Sequence, residues 1–157
     1  STGSNKGFIG DENITEINTQ VGITAASDER DKTDFTSLDL GLDFVKALEP
    51  VTYYWDKRAK YLNKNNEDGT INTDYDLNSA TPDGTHKEDW MDVGFKAQSV
   101  SALEEAAGYK IADKKNLTVS LSEDGKQYGL KYDRFVPILV KAIQELSAEV
   151  EKLKSGG

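Results

Sequence analysis

Cysteine is missing from all 157 positions, and histidine occurs once, at His86. The first absence removes disulfide frameworks, cysteine-type zinc sites and thiol nucleophiles together. The second leaves no histidine pair for a metal, and His86, set in a polar stretch beside Lys87 and Glu88, reads as a loop residue. Any nucleophile is therefore a hydroxyl or an amine, and neither a cofactor nor a metal is expected. Basic clusters are lacking too: the formal net charge is −9, so duplex DNA and anionic membrane are repelled and neither is expected as a partner. No apolar run approaches the roughly 20 residues that cross a bilayer. The opening Ser1-Thr2-Gly3-Ser4 has neither the charged nor the apolar part of a secretory signal. These features predict a soluble protein made in a cytoplasm. The length suits one domain; 36% hydrophobic residues support a modest core, while 30% charged residues and 13 glycines call for much exposed surface.

What is present changes character along the chain. Residues 7–24 scatter Phe8, Ile9, Ile14, Ile17, Val21 and Ile23 among Gly, Asn and Thr, which predicts short strands or turns. Thr36-Ser37-Leu38-Asp39 has the form of a capping box, and Leu38, Leu42, Val45 and Leu48 follow at helical spacing, predicting a helix over 37–48 with Gly41 as its weak point. Glu49-Pro50 ends it and Val51–Trp55 reads as a strand, with Tyr53, Tyr54 and Trp55 as core or interface residues. Residues 57–91 lose all periodicity and carry the turn signals Asp68-Gly69 and Pro82-Asp83-Gly84, the mark of an inserted loop or extended hairpin arm. Within it, Asp74-Tyr75-Asp76-Leu77-Asn78 opens like a calcium loop, but Ser79 and Thr85 stand where glycine and a bidentate glutamate are required. A strand at 92–95, a helix at 97–107 closed by Gly108, and a hairpin of 117–121 with 128–130 around Asp124-Gly125 complete the middle of the chain.

The last segment carries the strongest periodicity. Val136, Leu139, Ile143, Leu146, Val150 and Leu153 alternate steps of three and four, the spacing of a coiled-coil seam, on a helix expected over 133–154. Pro137 falls in its first turn, where a missing amide costs little. The stripe either packs on its own domain or gathers copies of the chain. β-Branched residues at one seam position and leucine at the other favour, taken alone, a two-stranded coil.

Ala25-Ala26-Ser27-Asp28-Glu29-Arg30-Asp31-Lys32 sets a hydroxyl and an amine five residues apart behind two small residues, a candidate self-cleavage site. A serine hydroxyl needs a base near neutral pH, and the Lys32 amine is the nearest one. Lysines titrate near ~10.4 and work as bases only when desolvated or set near other cations. Arg30 acts in that direction; Asp28, Glu29 and Asp31 act against it unless they point outward. Residues five apart lie about 16 Å from each other on a strand and about 140° apart on a helix, so Ser27 and Lys32 meet only across a turn or between chains. Asp28–Asp31 can form that turn, and a site completed by chain packing would tie cleavage to assembly. Read without further context, Ser27 is an ordinary turn or cap residue and Lys32 a solvated charge.

The context is a resemblance. The stretch around Ser27 resembles the start of the intramolecular chaperone domain at the C-terminus of bacteriophage tail fibres, tailspikes and neck appendages, of the endosialidase type. Leu48-Glu49-Pro50-Val51 with Tyr53, Tyr54 and Trp55 after it, Gly94-Phe95-Lys96-Ala97-Gln98-Ser99-Val100, and Tyr128 through Ala142-Ile143-Gln144-Glu145-Leu146 are similar to further blocks of that family, in order. Lys96 and Ser99 depart from its usual apolar and acidic residues. The resemblance implies a Ser27-Lys32 dyad that cuts the Ala26-Ser27 bond once, with residues 1–26 as the end of the fibre and 27–157 as the chaperone. It implies an α+β fold, intertwined as a homotrimer, with short strands, an extended arm at 57–91 and a C-terminal coiled coil through the stripe. The partners it implies are sibling chains and the upstream shaft of the same polypeptide. It also implies action in the host cytoplasm during virion assembly, the chaperone being released and the mature fibre carried on the virion. A permanent trimerisation foot and a receptor-binding tip are the competing readings.

Overall fold

A computed structural model describes residues 5–156; Ser1–Ser4, part of the expected fibre end, and Gly157 lie outside the described residues. The chain divides into two compact units, Ser1–Phe35 with Asp56–His86 and Thr36–Trp55 with Lys87–Gly157. The fold is α+β: short helices and two small antiparallel sheets, followed by a long C-terminal helix.

The second unit holds the core. Helix α1 spans only Leu42–Ala47, shorter than the expected 37–48. Residues 36–41 form no helix: Asp39, cast as a capping residue, accepts the Tyr109 hydroxyl, Leu38 is half-buried and Leu40 fully buried. A Cβ on Gly41 would overlap the Glu145 carboxylate and crowd Lys141, so the chain passes directly against the C-terminal helix there. That tertiary approach overrides the local capping signal. After Glu49-Pro50, β1 (Val51–Tyr53) pairs antiparallel with β2 (Asp92–Gly94), with Thr52 opposite Val93. Tyr54 and Trp55 fall beyond β1 and are 43% and 41% exposed, which removes them from the core. Trp55 donates its indole N–H to Asp92 at 3.1 Å, and Lys87 lies over the Tyr54 ring.

Helix α2 (Ala97–Ala106) ends at Gly108, whose φ of +93° suits glycine. The hairpin of β3 (Val119–Leu121) and β4 (Tyr128–Leu130) turns through Ser122–Gln127, where Asp124 accepts the Ser122 hydroxyl and the Lys126 N–H. Leu117 and Thr118, expected in the first strand, precede it because they bond elsewhere. Glu104 of α2, 1% exposed, accepts the N–H and the hydroxyl of Thr118, both at 2.6 Å, and the Leu117 N–H at 3.2 Å.

Helix α3 (Phe135–Ser155) sends Phe135, Ile138 and Ala142 into a core shared with Leu40, Phe44, Val100 and Val119. At 100° per residue the centre of the predicted seam lies roughly 75–80° round the helix from the centre of that face. All six are exposed, from 41% at Val150 to 77% at Leu153. Packing of this stripe on its own domain, one of the two sequence alternatives, is therefore corrected: α3 docks with a different face.

Among the described residues the first unit has no long element. Within the stretch 57–91, expected as an inserted loop or extended hairpin arm, the described residues of this unit form turns, with 3-10 helices at Arg58–Tyr61 and Leu77–Ser79 and one bridge, Asn65 to Ile71, around Asp68-Gly69. The Tyr61 hydroxyl donates to Asp56 at 2.6 Å and accepts the N–H groups of Asp83 and His86, so the lone histidine lies edge-on to Tyr61 in a knot of loops. Glu12 takes the Lys64 ammonium at 2.5 Å and, through its carbonyl, that of Lys57, tying the upstream segment to this region.

Candidate active site

Ser27 and Lys32 lie in the first unit on exposed backbone flanking a three-residue 3-10 turn, Glu29–Asp31. The turn follows from local chemistry. Asp28 takes an extended conformation, φ −63° and ψ 130°, and its carboxylate accepts the Arg30 N–H at 2.9 Å, an Asx-type cap. Its carbonyl accepts the Asp31 N–H at 3.1 Å, and Glu29 then accepts that of Lys32 at 3.2 Å. This reversal brings the ends together within one chain: the Lys32 ammonium nitrogen stands 2.5 Å from the Ser27 hydroxyl oxygen, drawn as donor to it.

The Arg30 guanidinium is paired with Asp28 through Nε at 3.0 Å and Nη2 at 2.7 Å. The Arg30 side chain, and after it the Arg30 backbone N–H, hold the Asp28 carboxyl below the usual aspartate range, and the same pairing raises Arg30. Asp28 is thus neutralised locally. Among the described residues no hydrogen bond reaches the Ala26 carbonyl, and no group of three or more His, Asp or Glu is placed to hold a metal ion.

The model of the Peptidase S74 family, chaperone of endosialidase, matches residues 27–109. The chain belongs to this family. The match starts at Ser27 and takes in the turn, α1, the β1–β2 pair and α2, while α3 and the closing block at 128–146 lie beyond it. Membership in the endosialidase-chaperone family supports an intramolecular chaperone role, association with a fibre protein and a phage-related setting; the peptidase name of the family suggests self-cleavage. No curated protein and no solved structure matches the chain.

One family block, Gly94–Val100, gains a physical reason here. At Gly94-Phe95 a side chain on Gly94 would overlap the Tyr132 hydroxyl, which accepts the Phe95 N–H at 3.1 Å, and the rings of Phe95, Tyr132 and Phe135 cluster in mutual contact. At Lys96 and Ser99, where this chain departs from the pattern, both residues line an open groove of about 260 Å³ with Leu48, Phe95 and Leu103. Sequence reasoning passed over Glu104 and Tyr132, whose partners are distant in the chain. It passed over the capping role of Asp28 as well, although Asp followed two residues later by Arg beside an extended start was a readable turn signal.

Proposed function

We propose that this domain gathers and registers three copies of a phage fibre or spike chain, then releases itself by cutting Ala26-Ser27 with the Ser27-Lys32 pair. The observation that carries the cut is the 2.5 Å approach of Lys32 Nζ to Ser27 Oγ, one bond downstream of Ala26. Neutral Lys32 takes the hydroxyl proton; Ser27 Oγ attacks the Ala26 carbonyl carbon; the C–N bond breaks as the proton passes to the Ser27 nitrogen, leaving an ester. Water then splits the ester, returning the hydroxyl and freeing the Ala26 carboxylate, so one water is consumed per cut. Ala25 and Ala26 leave the carbonyl open to attack.

An exposed ammonium is protonated in water and donates, whereas a base must accept. What packing of chains supplies is then water exclusion and a donor for the developing oxyanion, not the amine itself. The uncovered α3 stripe supports assembly, since burying each aliphatic side chain is worth about 1.5–3 kcal/mol. So do the exposed Phe8, Ile9, Ile17, Val21 and Ile23 upstream of the cut, which suit a shaft built from several chains. Three in-register C-termini raise the effective concentration of strands whose non-local pairing is slow. Removing the template afterwards leaves the fibre held by its unfolding barrier.

A denaturing gel of the assembled chain beside Ser27→Ala and Lys32→Ala tests the cut. Loss of the cut in both variants is expected. Unchanged fragments from either remove that residue from the mechanism, and an intact 17.3 kDa band from the unaltered chain removes self-cleavage altogether.

A further inference from the structure

We infer that Asp28 is the positioning residue of this site: its carboxylate folds residues 28–32 into the turn that carries the Lys32 amine to the Ser27 hydroxyl. The inference rests on the assignment of Ser27 and Lys32 above and concerns what brings them together. In extended chain they stand about 16 Å apart, beyond proton-transfer reach. The turn between them has no buried residue, so no packing holds it shut. Three residues of 3-10 helix in water do not sustain themselves either, since nucleation of a turn fixes several dihedrals for one hydrogen bond. What remains is local polar chemistry, and Asp28 makes three of those contacts: the cap to the Arg30 N–H, and two bonds to the Arg30 guanidinium that fix the carboxylate in the capping orientation.

The cap and the ion pair are separable. Asparagine and serine at position 28 keep an acceptor for the Arg30 N–H and lose the pair; alanine loses both; Arg30→Ala removes the pair and leaves the backbone N–H in place. The cut runs only from the closed turn, so its rate follows the closed population. Asp28→Ala therefore lowers the single-turnover rate about fivefold or more, the factor an N-cap of this kind is worth. Asp28→Asn and Asp28→Ser restore it to within about twofold, and Arg30→Ala costs less than Asp28→Ala. Because the turn is exposed, thermal melting stays unchanged in all four variants.

A second readout does not depend on the cut. In the Ser27→Ala background, hydrogen exchange at the Asp31 and Lys32 amides quickens about fivefold on adding Asp28→Ala and returns toward its starting value with Asp28→Asn. A wild-type cleavage rate in Asp28→Ala, or an Asp28→Asn variant as slow as Asp28→Ala, overturns the inference. A cut that persists in Ser27→Ala alone removes the reading beneath it instead, so the two failures are told apart.

Discussion

At the residue scale, Gly94 and Tyr132 show how a family pattern becomes a constraint of shape. The Tyr132 hydroxyl occupies the space a Cβ at position 94 would need, and it is held there by the Phe95 N–H and by the aromatic stack with Phe95 and Phe135. Gly94→Ala should destabilise the domain by about 1–3 kcal/mol, as overpacking does. Tyr132→Phe should cost about 1 kcal/mol through the lost acceptor. The double variant should cost less than the sum by at least about 0.5 kcal/mol, because removing the hydroxyl makes room for the methyl group. Urea denaturation of the four proteins measures this, and strict additivity would refute the steric account. The glycine was legible as a family residue; the tyrosine that makes it necessary lies 38 positions away and was not.

At the element scale, strands and helices follow sequence where their signals are local and depart where a distant group competes. Helix α2 and the β3–β4 hairpin lie close to their expected positions because Gly108 and Asp124-Gly125 act on their own neighbours. The capping box at 36–39 fails because Tyr109, 70 residues on, takes the Asp39 carboxylate. Glu104 is the converse, a helical acid one turn after the buried Val100, which the structure buries to fasten α2 to the approach of β3. Glu104→Ala leaves the Thr118 N–H and hydroxyl without their acceptor, and a loss of about 2–4 kcal/mol is expected in chemical denaturation, with a smaller loss for Glu104→Gln, which keeps one oxygen. In the first unit, the Lys64 ammonium lowers the Glu12 carboxyl and Glu12 raises Lys64. The Glu12 contribution is complete above the ordinary glutamate pKa near ~4.3 and is lost as pH falls through its depressed value. The Lys64 contribution is complete below the ordinary lysine pKa near ~10.4 and is lost as pH rises through its raised value. The tie should hold between those limits and weaken in salt, as amide shifts of residues 10–14 would report; shifts that ignore both pH and salt would discount it.

At the scale of the whole molecule, the burial pattern argues for company. The fully buried apolar residues among those described are seven, Leu40, Phe44, Val100, Val119, Phe135, Ile138 and Ala142, and the large apolar side chains left in water outnumber them. A core that small is marginal alone. Because the stripe faces away from this core, Leu139→Asp with Leu146→Asp should leave the circular dichroism of the domain intact while converting the proposed trimer to monomers in sedimentation. The same variant should slow the Ala26-Ser27 cut at least tenfold, a rate factor of about 1.4 kcal/mol, if assembly is what excludes water from Lys32. Monomers that cut at the unaltered rate would separate cleavage from assembly; trimers that persist would move the interface off α3.

Sequence by itself determined the parts set by short-range chemistry: a hydroxyl and an amine spaced so that only a turn or a second chain joins them, an apolar stripe at coiled-coil spacing on the last helix, and the family blocks in order. Tertiary structure decided which of those possibilities the chain uses. It turned Phe135, Ile138 and Ala142 rather than the stripe toward the core, and it shortened α1. Each outcome depends on where groups far apart in sequence meet, and a local pattern fixes which faces a helix offers without fixing which neighbour arrives to cover them.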